Sequence, residues 1–278
     1  MADIRQSNEY ATYLKSIGWG VERVDGVFVF VKKFPLVSMM KVQRAEKINL
    51  QKIFKVAKKH RAVFLVVEPG PNMDPRSESP PIWRAGGMTN SGFRLSESPY
   101  LPTKTLELDL TWSGKRLQEN LKKDCRYTIR KTDNLKLIEP EISSFRSAWR
   151  EAAPSGRYVM SEKNLIVMRR AFGKKMLLIA TEDLSAGGIF LVANKKGYYW
   201  HGFSNAKGRK GLAQYKVVWE GILWAKKMGA KAFDFEGIYD PRFPLENWKG
   251  LTKFKNKFGG EEVDYPGAYV KWLWRNLI

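Results

Sequence analysis

Cysteine is almost missing from this chain of 278 residues: Cys125 stands alone, which excludes an internal disulfide framework and any multi-thiolate metal site. Histidine is nearly as scarce. With only His60 and His201, zinc sites and serine–histidine machinery have little to be built from. No apolar run approaches the roughly 18 residues that a bilayer span needs, and the closest, Ala62 to Val67, is of strand length. The first residues lack the apolar core of a signal peptide. The expectation is a soluble cytoplasmic protein with room for peripheral contact at the inner membrane. Acidic residues are in deficit, 28 against 49 Lys and Arg, for a net charge of +21. Such a field attracts polyanions, so nucleic acid, nucleotide-linked sugars and anionic headgroups are all admissible partners.

Hydropathy patterning alternates strand and helix. Val27 to Val31 and Ser38 to Gln43 read as strands, and Leu50, Ile53, Phe54 and Ala57 fall at helical spacing before the strand Ala62 to Val67. Between Pro69 and Pro102 the chain carries seven of its 13 prolines, a loop with at most one short helix near Trp83. Thr105 to Leu110 alternates like a half-buried strand. A single basic helix is expected from about Lys115 to Lys131, with Leu117, Leu121, Cys125 and Ile129 inward and Lys122, Arg126 and Arg130 as a basic stripe. Beyond Pro140 the grammar restarts. Helices are expected near Ser143 to Ala152, Glu162 to Phe172 and Leu212 to Met228. Strands are expected at Met176 to Thr181, Gly188 to Val192, Tyr198 to Gly202 and Ala232 to Phe235, and Val263 to Trp274 closes the chain.

Several groups could carry chemistry. Gly208 to Ala213 is a phosphate-cradle candidate, because glycines let backbone N–H groups approach an anion at a helix start. It is close to the phosphate loop of coenzyme-A-dependent N-acetyltransferases, with Gly208 where Arg or Gln is usual. A glycine-rich entry to a packed helix is the equal alternative. His60 reads as a solvated helix cap and His201 as a half-buried strand residue. Asp109, Asp234, Glu236 and Asp240 are strand or strand-end carboxylates, each more readily a turn or ion-pair residue than a base.

The most distinctive stretch is Phe233-Asp234-Phe235-Glu236-Gly237-Ile238, followed by Gly250-Leu251-Thr252-Lys253-Phe254-Lys255-Asn256-Lys257-Phe258-Gly259-Gly260. It resembles the Fem family of tRNA-dependent peptidoglycan bridge aminoacyltransferases, which have an Asp-x-Gly-Gly-Ile-like strand end and then a Phe-Lys pair leading to Phe-Gly. Glu236 replaces the first of those glycines. The resemblance extends over nearly the whole chain, through Tyr10 to Trp19, Phe64 to Pro69, and Leu108-Asp109-Leu110 to Arg126–Lys131.

The resemblance implies an α/β (α+β) fold of two acetyltransferase-like mixed-sheet domains, laid out as 1–138 plus 264–278 for acceptor binding and 139–263 with the Phe-Lys motif. No coiled-coil arm is expected. It also implies transfer of an amino acid from aminoacyl-tRNA to a free amine of a peptidoglycan precursor, UDP-MurNAc-pentapeptide or its lipid-linked form, by a monomer with no cofactor or metal. Phe254 and Lys255 match the family's catalytic pair, and Glu68 stands where a carboxylate lies near the substrate amine. His201 stands where a substrate-contacting Tyr is expected, and Arg157 and Arg23 are candidates for binding the nucleotide pyrophosphate. Lys122, Arg126 and Arg130 would meet tRNA. Two alternatives stay open: an acyl-CoA-dependent N-acyltransferase and a non-catalytic basic RNA-binding module.

Overall fold

The computed structural model describes residues 1–71 and 91–273, so the expected helix near Trp83 and the end of the closing segment at Trp274 lie outside the described residues. In chain order come α1 (Asn8–Ser16), β1 (Gly20–Val24), β2 (Val27–Lys33), β3 (Ser38–Ala45), α2 (Leu50–Lys59), β4 (Ala62–Pro69), β5 (Arg94–Leu95), β6 (Lys104–Asp109), α3 (Gly114–Asn120), α4 (Lys123–Lys131) and β7 (Leu137–Ile138). Then follow α5 (Ile142–Ala152), α6 (Glu162–Phe172), β8 (Met176–Thr181), β9 (Ala186–Ala193), β10 (Lys196–Ser204), α7 (Ala206–Lys210), α8 (Ala213–Lys227), β11 (Ala232–Gly237), α9 (Lys249–Lys255), β12 (Glu261–Asp264) and β13 (Tyr269–Trp272). The chain divides into two compact units. One comprises Met1–Lys104, Tyr239–Leu245 and Val263–Ile278, the other Thr105–Ile238 and Glu246–Glu262.

The first unit holds a sheet of order β1-β2-β3-β4-β13-β5. Its opening hairpin turns on Asp25 and Gly26, at φ 50° and 86°, the double left-handed geometry that Asp-Gly adopts readily. β3 and β4 run parallel, so the chain must cross over between them, and α2 makes the crossing. Asn49 caps α2 by accepting from the backbone N–H of Lys52, and Leu50, Ile53 and Ala57 are buried. His60 ends α2 not as a solvated cap but with its side chain largely covered, its Nε2 2.6 Å from Glu22 Oε1. Lys59 and His60 together hold the Glu22 carboxyl below its ordinary range. The closing strand β13 pairs antiparallel with β4.

The second unit holds a seven-stranded sheet of order β12-β6-β11-β10-β9-β8-β7. Again one parallel pair, β10 with β11, needs a helical crossover, and α8 supplies it. Val217, Val218, Ile222 and Ala225 of α8 are fully buried in one core with Phe190, Phe233 and Phe235. Residues 105–138, read with the first domain in the sequence, fall in the second unit, because β6 pairs antiparallel with β11. The basic helix is broken in two. Leu121 stands at φ −63°, ψ 142° between α3 and α4; its side chain is buried, and the next N–H, that of Lys122, donates to Lys257 O at 2.9 Å. The expected apolar stripe survives the break, with Leu117, Leu121, Cys125 and Ile129 all in the core. No helix among the described residues is long and apolar enough to cross a membrane, and α8, at 15 residues, leaves no element of coiled-coil length among those introduced above.

Candidate active site

The site is built where β11 ends. Asp234 Oδ1 accepts from the backbone N–H of Glu236 at 2.7 Å, a local side-chain turn that competes with the strand ladder. The register with β6 shifts there, and Glu236 is carried to φ 58°, the left-handed region that favours glycine. This is the position at which the Fem strand end has glycine. One residue on, the Gly237 carbonyl accepts a 2.7 Å hydrogen bond from Lys255 Nζ.

Lys255 is the last residue of α9 and only 4 % exposed. In sequence Lys253, Lys255 and Lys257 look like one alternating solvated face. A helical turn separates them instead: Lys253 is exposed, and Lys257 pairs with Asp124 at 2.7 Å. Burial pulls the Lys255 pKa down from its usual 10.5 to about 8, with the Glu236 and Asp234 carboxylates opposing the fall and Arg157 adding to it. Its neighbour Phe254 packs edge-on against Tyr215, ring centroids 5.0 Å apart, and against Phe258 at 5.4 Å.

Phe254, Tyr215, Tyr199 and Trp149 wall a cavity of about 470 Å³ in the second unit, with Arg157 and Gln214 also on its lining. Tyr199 and Gln214 were not legible as site residues. For Tyr199 the reason lies in β10, whose register with β9 slips between Tyr199 and His201, a bulge that resets which residues share a face. Tyr199 leans over Gly202 so closely that a Cβ there would sit 1.9 Å from its hydroxyl. The phenol oxygen accepts from Gln214 Nε2 at 2.8 Å, and the ring centre lies 5.9 Å from Lys255 Nζ.

The remaining candidates are placed as follows. His201 sets its ring 4.9 Å from that of Trp149; burial first and Arg157 second push its pKa down to about 4, so it is a neutral imidazole through physiological pH. Arg157 is exposed on the loop after α5. Glu68 and Arg23 belong to the first unit. Glu68 is 2 % exposed, with one oxygen accepting from Gln43 Nε2 at 2.7 Å and the other from the Leu101 N–H at 2.7 Å. Arg23 stands 5.2 Å over the Phe28 ring. Of the basic stripe, Lys122 and Arg130 are exposed, whereas Arg126 Nη2 donates to Glu119 O and Leu121 O, both at 3.2 Å. Arg126 thus ties off the end of α3.

The proposed phosphate cradle is a short helix. The N–H groups of Gly208, Arg209, Gly211 and Leu212 donate to Asn205 Oδ1, Asn205 O, Lys207 O and Arg209 O, leaving none of these four for an anion. Packing accounts for Gly208, since a Cβ there would lie 2.2 Å from Ser185 O. Among the described residues no group of three or more His, Cys, Asp or Glu is arranged to hold a metal ion.

Comparison with known proteins defines the class of fold and finds a family match over part of the chain. FemX superposes with a TM-score of 0.77 over 99% of this chain and 93% of its own, at 14% identity. A tandem GNAT protein from the clavulanic acid biosynthesis pathway superposes with a TM-score of 0.53 over 92% and 83%, at 9% identity. The fold is therefore a pair of acetyltransferase-like mixed-sheet domains. Residues 167–273, which contain Tyr199, Gln214, Gly237 and Lys255, match the model of the FemAB family. Aminoacyltransferase FemA of Staphylococcus aureus is 32% identical over 88 residues, 32% of this chain and 21% of FemA. The chain thus spans about a fifth of the length of the curated relatives it matches.

Proposed function

We propose that this protein transfers an amino acid from aminoacyl-tRNA to a free amine of a peptidoglycan precursor peptide. The observation that carries the reading is Lys255: an ammonium buried at the end of β11, beside an aromatic cavity, inside the stretch that matches the FemAB family. An ester to a ribose hydroxyl is already activated. The acceptor nitrogen attacks its carbonyl carbon, the carbonyl π electrons move onto oxygen, and collapse of the tetrahedral adduct forms the amide and expels the ribose oxygen. That oxygen takes up the proton which the amine gives away. What the protein must add is alignment and compensation of the transient negative charge. A fixed cation in a poorly solvated site does the second well, because its field is little screened. Phe254 keeps water from one side of the cavity. The net charge of +21 supports a polyanionic donor, with Lys122 and Arg130 exposed to meet phosphates.

The rival reading is acyl transfer from coenzyme A. It needs free backbone N–H groups at residues 208–213, and four of these are spent within the chain. The deciding experiment incubates the protein with a mixture of charged tRNAs and with soluble and lipid-linked precursors, then reads precursor mass. An increase by one amino-acid residue, abolished by ribonuclease pretreatment of the donor, is expected. An increase by an acetyl group when acetyl-CoA is supplied, with none from charged tRNA, would overturn the proposal.

A further inference from the structure

We propose that Gln214 recognises the α-amino group of the aminoacyl unit being transferred, through its Oε1, inside the cavity walled by Trp149, Tyr199, Tyr215 and Phe254. The inference rests on the aminoacyl-transfer reading above and specifies what that site selects.

Gln214 is the second residue of α8. Its Nε2 donates to Gly187 O at 3.2 Å and to Tyr199 Oη at 2.8 Å. A backbone carbonyl can only accept, so the nitrogen of the amide, and not its oxygen, faces Gly187. Both N–H bonds are then spent, and the amide cannot turn over without losing them. Oε1 is left on the other side, buried and without any protein donor, on a side chain that lines the cavity. A buried carbonyl oxygen without a donor costs free energy in the unliganded protein, and a ligand N–H recovers it.

The chemistry of the walls says which ligand. Oε1 accepts and cannot donate, so it repels a carboxylate or phosphate and takes an N–H. Four aromatic rings around the same cavity favour an amine in either protonation state, and a cation over a ring face gains further. An anion would be drawn instead towards Arg157. In an aminoacyl ester the α-amine is the one N–H donor common to every amino acid, and it sits one carbon from the reacting carbonyl. Lys255 Nζ lies 5.9 Å from the Tyr199 ring centre, and the Tyr199 hydroxyl accepts from Gln214 Nε2, so one side chain contacts both groups. The selection is for an amino acid over a plain acyl group, whatever the side chain.

The test compares kcat/KM for the charged tRNA that wild type uses best with the same tRNA carrying the deamino acyl group, propionyl in place of alanyl for example. Wild type is expected to prefer the aminoacyl donor by at least about a hundredfold, in keeping with sites built to hydrogen-bond a substrate N–H. In Gln214→Leu that ratio should fall below about tenfold, while Gln214→Glu, which keeps an acceptor oxygen there, retains it. A wild-type ratio near one, or full discrimination in a folded Gln214→Leu, overturns the assignment. If Gln214→Leu does not fold, Gln214→Glu decides, and loss of the preference there overturns it equally. Absence of product from every charged tRNA with wild-type protein would instead sink the aminoacyl-transfer reading, and this inference with it.

Discussion

Replacing Lys255 by Met is expected to lower the turnover of aminoacyl transfer by a hundredfold or more, with little change in KM for either substrate. The expectation follows from where the charge is felt. The ester is neutral in the ground state and carries a full negative charge, shared between the carbonyl oxygen and the departing ribose oxygen, only near the transition state. A buried ammonium therefore stabilises the transition state far more than the bound substrate, which is the condition for raising kcat. Removing one such donor from comparable sites costs roughly a hundred- to a thousandfold. Lys255 is suited to the task because Gly237 O fixes its Nζ with one hydrogen bond, leaving two N–H directions unspent by that bond. Lys253→Met and Lys257→Met are the controls: one side chain is exposed, the other holds Asp124, and each should cost less than about threefold on this electrostatic argument. Equal losses in all three variants would reduce Lys255 to a member of a general basic surface.

The same substitution is expected to change stability in the opposite sense, and to do so with pH. The Lys255 pKa is about 8 in the folded protein against an ordinary 10.5. Between those values the unfolded chain binds a proton that the folded one does not, so this group makes stability rise as pH climbs from about 8 to about 10.5, and its burden is fully present below pH 8. The gap of 10.5 − 8 = 2.5 pH units corresponds to about 3 kcal/mol. Lys255→Met removes the burden but leaves Gly237 O without its donor, a cost of about 1–3 kcal/mol. At pH 7 the variant should therefore be no less stable than wild type despite losing a hydrogen bond. Its advantage over wild type should shrink by about 3 kcal/mol between pH 7 and pH 10.5. Urea unfolding of both proteins across that range measures it, and a difference independent of pH would show that the lysine is not held in a charge-disfavouring place.

Local periodicity carried much of the fold. Glu162–Phe172 and Met176–Thr181 were legible to the residue, because a capped amphipathic helix and an apolar strand signal their own limits. Long-range pairing was not legible. Nothing in residues 105–138 says that β6 will lie beside β11, more than 120 positions on, and nothing local to Leu121 says that a buried side chain and the Lys257 carbonyl will break a helix there. The site divides along the same line. Lys255 stood out through resemblance alone, since its alternation with Lys253 and Lys257 mimics a solvated face until α9 turns them apart. Tyr199 was hidden because a bulge in β10 between it and His201 shifts side-chain parity, and Gln214 because its partners Gly187 and Tyr199 are distant in sequence. Glu236 is the reverse case: its place in a glycine position was visible in sequence, and its left-handed backbone explains why glycine suits that position.

The most direct measurement of the account is the pH dependence of single-turnover aminoacyl transfer at saturating donor and acceptor, corrected for spontaneous ester hydrolysis. If the charge on Lys255 stabilises the transition state, the wild-type rate falls with a midpoint near pH 8, about tenfold per unit beyond it, as the ammonium is lost. The residual rate of Lys255→Met shows no such fall. A wild-type rate that stays level or rises to pH 9.5, or an alkaline fall that persists in Lys255→Met, would contradict it.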